Sequence, residues 1–416
     1  MIARGTVSGV RGGLVEVRIP SPSVGAGVTI HTQPPCFGTI RAIDRDRAFI
    51  AIHESTERIS AGTPVALDRA AESLPLGTCA LGRAIDARAV PLDGKRALRG
   101  KRVALDRSAP PPGARRPIDT PMWTGIRAID GLLTLGRGAR IGLFGAPGVG
   151  KSTLLESIAV GIACDAVVVG LVGERGREAQ RWIEWCDRRT TVICATSDRT
   201  AAERVRAAST TMAHARALCD RGLHVFVVLD SLARIAAAMR ELAVASGEST
   251  GRGGYPPGVF AGVAQLVEAA GATQRGSITL LATVLNDGDD RDPVSEAARS
   301  LLDGHIQLSP RLAQAGCFPA IDVLASASRT MTEVAEATHL ANANALRSSI
   351  ARLEQVADAR ALGLEPHDVR TRTAIAAEAR INAFLRQGPV TESPAATLAM
   401  LADLADTLGV HDGYLD

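Results

Sequence analysis

Apolar and polar positions follow three different rhythms along this chain. In residues 1–70, runs such as "GLVEVRIP" and "RAFIAIHE" alternate apolar with polar, and Gly/Pro turns separate them. Alternation at period two turns one face of a pleated strand inward, so this stretch predicts a small β-barrel. From about 121 to 335 the runs change character. "RIGLFG", "AVVVGLVG", "TTVICAT", "HVFVVLD" and "SITLLATVL" are short, β-branched and almost wholly apolar. Strands of a parallel sheet covered by helices on both faces have this composition. "TLLESIAVGIA" and "AAERVRAASTTMAHARALCD" supply helical patterns between them. The last 80 residues keep a helical period: Leu346, Ile350, Leu353 and Val356 share one face, and Leu398, Leu401, Leu404 and Leu408 share another.

Residues 71–120 read as a connector. Glycines recur through "SLPLGTCALGRAIDARAVPLDG", and the proline-rich "RSAPPPGARRPID" cannot be a helix interior. The expected organisation is a barrel over 1–70, an α/β domain over 71–335 that includes this connector, and a helical domain over 336–416.

Composition narrows the class. A chain of 416 residues is too long for one ordinary core. The net charge of +3 is too small to argue for a nucleic-acid or membrane surface. The seven cysteines are scattered and form no C-x-x-C pair, which argues against a zinc site or a disulfide framework. No apolar run approaches the length of a membrane span, and "MIARGTVSGVRGG" lacks the apolar core of a signal peptide. A cytoplasmic protein is expected.

Candidate chemistry begins at "GAPGVGKST", which fits G-x-x-x-x-G-K-[ST] between a predicted strand and a predicted helix. In such a phosphate loop, Gly145, Ala146, Pro147, Gly148, Val149 and Gly150 form the backbone cradle whose amides face phosphate oxygens. Lys151 reaches the outer phosphates, Ser152 ligates Mg²⁺ and Thr153 is counted with them among the nucleotide-binding residues. "HVFVVLDSLAR" ends a buried strand in Asp230, the usual shape of the second Mg²⁺-holding element. Glu174, in "LVGERGREAQRW", follows an apolar strand. It reads equally as a carboxylate that orients attacking water or as an acidic residue favoured by a helix dipole. Arg329 lies beyond the last clear core strand and is either a surface residue or an arginine finger for a neighbouring subunit.

Further blocks occur in order: "RAIDGLLTLGRGARIGLFGAPGVGKSTLLESIA", "GERGRE", "SDRTAAERVRAA", "LDSLARIAAAMRE", "GYPPGVF", "GDDRDPVSEAARSLLDGHIQLS" and "PAIDVLASASR". Together they resemble the export ATPases of type III secretion systems, a branch of the rotary F/V-type ATPase superfamily. The resemblance spans roughly residues 4–335 well and the C-terminal region loosely. It implies a RecA-like P-loop ATPase core with an N-terminal β-barrel and a C-terminal helical domain. It also implies a homohexameric ring with ATP and Mg²⁺ at each subunit interface. Implied partners are stator and central-stalk proteins, export chaperones and export substrates, with the ring peripheral at the cytoplasmic face of the inner membrane. The carry-over puts Glu174 on the catalytic carboxylate, with Arg175 following it. Asp230 falls on the strand-ending aspartate and Arg234 on a basic position near the γ-phosphate. Arg329 falls on the interface arginine, and Phe318 resembles the aromatic residue that stacks on adenine, the alternative being a core Phe.

Three features depart from the family pattern. The barrel pattern begins almost at Met1, where family members carry an extra segment that helps bind the stator. "ALGLEPHDV" replaces a glycine- and tyrosine-containing turn, and Ala139 stands where the family usually has Gln. The flagellar export ATPase, a close relative, shares the same chemistry and is the main alternative. A rotary ATP synthase catalytic subunit fits "GYPPGVF" and "LLDGHIQLS" less well. A ring-shaped RNA translocase of the transcription-termination type needs base-stacking aromatics, and this barrel holds Phe37 and Phe49 but no Tyr or Trp. No nucleic-acid partner is expected. A scaffold that has lost turnover is opposed by the intact Lys151, Glu174, Asp230 and Arg329.

Overall fold

The computed structural model describes residues 4–11, 13–105, 109–285, 292–364 and 366–409. The front of the block "GDDRDPVSEAARSLLDGHIQLS" and the outermost residues of the first and last predicted domains lie outside them. The fold is mixed α/β, with an N-terminal barrel, a central α/β domain and C-terminal helices. By packing, the chain forms two compact units. One comprises the chain up to Arg115 with Asp165–Val284 and the helix Pro293–Leu301; the other comprises Arg116–Cys164 and the chain from Leu302 onward.

The first unit opens with six strands: β1 (Arg4–Arg11), β2 (Leu14–Arg18), β3 (Gly27–Ile30), β4 (Cys36–Asp44), β5 (Arg47–Ile52) and β6 (Pro64–Leu67). They close in the order β1-β2-β5-β4-β3-β6. Closure follows from the period-two alternation. Val15, Val17, Ile40 and Ile50 point inward and are fully buried, while Glu16 and Arg47 pair outside at 3.1 Å. Helices of the α/β domain cover one side of the barrel: Leu14 and Ala51 pack against Ala201, Ala202, Ala238 and Leu242.

Five parallel strands follow in this unit. In spatial order they are Ser277–Leu285, His224–Asp230, Ala166–Val172, Thr190–Ala195 and Arg83–Asp86. The middle ones are buried along their whole length, as their apolar composition predicts. The edge strand Arg83–Asp86 comes from the stretch expected to be only a connector. Its four residues are too few for a visible alternation. Its sheet position depends on pairing with Thr190–Ala195 and on Asp93, whose carboxylate takes two bonds from Arg83 at 2.7 and 3.1 Å.

In the second unit the strand Arg140–Gly145 pairs in parallel with Gly304–Leu308, and Ile321–Ser328 adds to that strand antiparallel. The long helix Ala337–Ala361 and the helix Pro394–Thr407 carry the predicted stripes. Leu346, Leu401 and Leu404 are buried, whereas Ile350, Leu353 and Val356 are half-buried.

A fully buried histidine braces the connector of the first unit. His214 Nδ1 accepts the Gly77 N–H at 3.1 Å. Its other nitrogen lies 3.0 Å from the Thr191 hydroxyl, which donates to the Ala80 carbonyl at 2.7 Å. The ring accepts at Nδ1 and so is neutral, and burial pushes its pKa down to about 3. A histidine that titrates near 6.5 when unfolded and near 3 when folded gives the unfolded state more protons below pH 6.5, so its stabilising contribution is lost as pH falls. Denaturant titrations of the wild type and His214→Gln are expected to show a gap at pH 7 that narrows by about 2 kcal/mol at pH 5.

Candidate functional site

In the second unit, Arg140–Gly145 runs into the turn 146–150, and the helix Lys151–Gly161 leaves it. The turn holds its shape through glycine. Gly148 and Gly150 have φ of +82° and +90°, a region strained for L side chains. A Cβ on Gly145 would lie 3.0 Å from Leu308 Cβ. Val149 is the buried anchor of the loop, Ala146 is half-buried, and Pro147 and Gly148 are exposed. The helix starts on Gly150, with no side-chain cap and no acidic residue in its first turn. Its leading amides therefore carry positive partial charge toward the loop with no capping side chain to accept from them, which suits an anion. The Lys151 ammonium donates to the Gly145 carbonyl at 3.2 Å, over the mouth of the turn. Ser152 is half-buried on the same turn of helix and Thr153 is exposed.

Phe318 belongs to this corner. A Cβ on Gly150 would lie 3.4 Å from its ring, so the ring stands next to the loop, within reach of any side chain at that position. The residue is 47% exposed, which is high for so large an apolar side chain. Its backbone is held by the Gln387 N–H, which donates to the Phe318 carbonyl at 2.9 Å. Phe318 is thus an exposed platform at the loop and not a core residue.

Arg329 is placed differently. It follows the strand Ile321–Ser328, and its N–H donates to the Asp303 carbonyl at 2.9 Å. Gly304 pairs with both Ile141 and Ser328, so Arg329 sits level with the start of the strand that feeds the loop. At ~3.3 Å per residue the loop lies roughly 15 Å further along. The Arg329 side chain is exposed and has no hydrogen-bond or ion-pair partner among the described residues.

The first unit holds the acidic residues. Ala166–Val172 and His224–Asp230 run parallel with Leu171 opposite Asp230, so both strands deliver their next residues to the same edge. Asp230 is buried and accepts a hydrogen bond from the Thr283 hydroxyl. Ser231 then caps the helix Leu232–Ala245, accepting the Arg234 N–H at 3.4 Å. From that first turn Arg234 reaches Glu174, itself only 5% exposed, and forms an ion pair with it. Gly173, at φ +75°, lets the arginine stem cross: a Cβ there would be 3.1 Å from Arg234 Cδ. Arg175 faces solvent, and its carbonyl accepts the Glu178 and Ala179 N–H groups at 3.0 and 3.1 Å to start the helix Gly176–Trp185. Burial, the charge of Glu174 and a hydrogen bond with it raise Glu178 above the usual carboxylate range, and Asp230 adds to the effect.

Glu174, Asp230 and Arg234 are thus brought together, and so are the loop, Lys151 and Phe318. Two of their neighbours carry little signal in the sequence. Thr283 is one hydroxyl inside an apolar strand pattern, where its polarity is the only clue. Glu178 is one of several charges around "GERGRE", and its i, i+4 spacing from Glu174 is what could single it out. Among the described residues no group of three or more His, Cys, Asp or Glu side chains is arranged to hold a metal ion. A magnesium ion here would arrive on nucleotide phosphates, needing few protein ligands.

Comparison with known proteins matches residues 125–328 to the family described as ATP synthase alpha/beta family, nucleotide-binding domain. The chain is 41% identical over 400 residues to a type 3 secretion system ATPase of Pseudomonas syringae pv. syringae, covering 92% of this chain and 89% of that one. It is 44% identical over 343 residues to a flagellum-specific ATP synthase of Pseudomonas aeruginosa, covering 80% and 76%. Its fold is similar to that of the assembled ATPase EscN from the enteropathogenic E. coli type III secretion system, with a TM-score of 0.91, 35% identity, and coverage of 96% and 100%. EscN in complex with its central stalk EscO gives a TM-score of 0.89 at the same identity and coverage.

The Glu174–Arg234 pair makes a stability prediction. Arg234→Gln leaves a buried carboxylate without its cation. It is expected to cost about 2–3 kcal/mol in urea denaturation, less than a wholly buried pair because 31% of the arginine side chain meets water. The double variant with Glu174→Gln is expected to recover part of that loss.

Proposed function

The chain belongs to the type 3 secretion system ATPases of the ATP synthase alpha/beta family, and from that premise we propose that it works as a ring whose ATP hydrolysis energises protein export. Lys151 and the amides of 145–150 bind the phosphates, and Phe318 stacks on the adenine. Ser152 and Asp230 are the residues that would hold Mg²⁺, which when bound neutralises charge on the phosphates. Glu174 orients the attacking water. Arg234 holds that carboxylate in place, and Thr283 does the same for Asp230. Arg175 marks the helix start beside Glu174 and remains available to a partner surface.

The observation that carries the ring reading is the position of Arg329. An exposed arginine level with the far end of its own loop strand cannot serve its own loop, but it is free to complete a neighbour's. On that reading each subunit presents one half of a site on each of two faces, and hydrolysis depends on assembly. The assembled state of EscN and its complex with a stalk support a homohexameric ring around a central stalk. Release and unfolding of chaperone-bound substrates, attachment to a stator and a peripheral place at the inner membrane complete the proposal. No described helix is long and apolar enough to cross a membrane. A flagellar export ATPase would use the same residues in the same roles, and the neighbouring genes distinguish the two.

The test is ATPase activity per subunit across a range of protein concentrations. Specific activity is expected to climb as subunits assemble. Arg329→Ala is expected to lower kcat by about 10³–10⁵, and Glu174→Gln to abolish turnover while nucleotide still binds. A one-to-one mixture of the two should regain roughly a quarter of wild-type activity, the share of interfaces built from two intact halves. Phe318→Ala should weaken ATP binding by roughly 1–3 kcal/mol and leave kcat near normal. Flat specific activity from a monomer, with a normal Arg329→Ala, would sink the ring reading.

A further inference from the structure

An ion pair stands at the end of the loop strand away from the phosphate loop. Asp303 Oδ2 accepts the backbone N–H of Arg140 at 2.9 Å and its Nε–H at 3.0 Å, while Oδ1 accepts from Nη2 at 3.1 Å. The backbones are joined as well, since the Asp303 N–H donates to the Arg140 carbonyl at 2.7 Å. About four-fifths of each side chain is shielded from water. A forked, two-oxygen pair of this kind fixes orientation as well as distance. The carbonyl of the same Asp303 accepts the Arg329 N–H. On either side of Arg329 the chain is pinned to one short stretch that includes the strand Leu135–Gly136: the Ser328 hydroxyl donates to the Thr134 carbonyl at 2.8 Å, and the Thr330 hydroxyl accepts the Gly136 N–H at 3.0 Å.

We propose that Asp303 and Arg140 are positioning residues that hold Arg329 at the height and angle it needs to enter a neighbouring subunit's site. The physical case is one of stiffness. Arg329 itself is exposed and follows the last residue of its strand, so its stem gains no order from packing. Its backbone is ordered by Asp303, and Asp303 is ordered by the fork from Arg140, which is the first residue of the strand carrying the phosphate loop. The same strand thereby sets the place of the loop at one end and of the finger at the other. A change in the loop at one interface then reaches the finger at the next through a strand six residues long and the Arg140–Asp303 fork at its end. The inference rests on the shared-site reading of Arg329 and adds the residues that aim it.

The experiment uses the full-length chain and the subunit-mixing assay. Asp303→Asn keeps the side chain's shape but weakens the fork. It is expected to lower kcat by roughly 10–100-fold, the usual cost of a misplaced catalytic group, with KM for ATP within about twofold of wild type. Arg140→Gln, which leaves Asp303 and both backbone bonds in place, should act in the same direction. Mixed with Glu174→Gln, Asp303→Asn should regain activity, because the new interfaces pair a sound finger with a sound loop side. Mixed with Arg329→Ala, it should regain none, because both subunits then fail on the finger side. Recovery with Arg329→Ala, recovery with neither partner, an unchanged kcat, or loss of assembly in both variants would each overturn the assignment. The control mixture of Glu174→Gln with Arg329→Ala separates the two levels. If it does not recover, the shared-site reading fails; if it recovers while the Asp303 arm behaves otherwise, only the positioning role fails.

Discussion

A buried carboxylate is stable only where donors or cations replace the water it has lost, and the working parts of this protein are organised around that requirement. Glu174 meets it with Arg234 and Asp230 with Thr283, and the half-buried Asp303 is matched by the fork of Arg140. Asp130 meets it with the Thr124 and Gly125 amides and the Thr124 hydroxyl, at 2.7–2.8 Å, and burial still raises its pKa to about 6. In each case the partner comes from a different stretch of chain or a tight turn, so satisfying the carboxylate also fixes a loop. Stability and function draw on the same contacts, which is why variants at these positions need readouts that separate the two.

The phosphate corner obeys the opposite rule. There the helix starts without a side-chain cap. Other helices of this chain place a Ser or Thr on that end, as Thr200, Ser231 and Ser393 do. Leaving it uncapped costs stability that a bound anion returns. Lys151 turns back onto the Gly145 carbonyl, so the positive charge waits at the loop. Beside it Phe318, a large apolar residue, is nearly half exposed to water, another cost that a stacked base would reduce.

Much of this architecture is legible in the chain of residues alone. "RIGLFGAPGVGKSTLLESIA" carries its own geometry, because a strand of apolar residues, glycines at the turn and an uninterrupted helical run admit few backbone paths. The closed barrel is readable from period-two alternation, and the buried parallel strands from runs with no alternation at all. Sequence patterns fall short where a residue's meaning depends on what lies opposite. "RAID" gives no strand signal, yet it pairs along Thr190–Ala195. Thr283 looks like an ordinary β-former until Asp230 is seen against it. His214 lies in an Ala-rich helix, and nothing in that helix reveals the Gly77 amide it accepts.

By itself, then, the sequence determined most of the element types, the glycine-rich loop between strand and helix and the residue types proposed for the reaction, since backbone preference and side-chain chemistry are local properties. The tertiary structure alone decided the partners. It paired Arg234 with Glu174 and set Phe318 against Gly150. It held Arg329 level with Asp303 and away from its own loop. Those facts depend on strand order and register, which join residues far apart in the chain, and no local pattern encodes a distance of that kind.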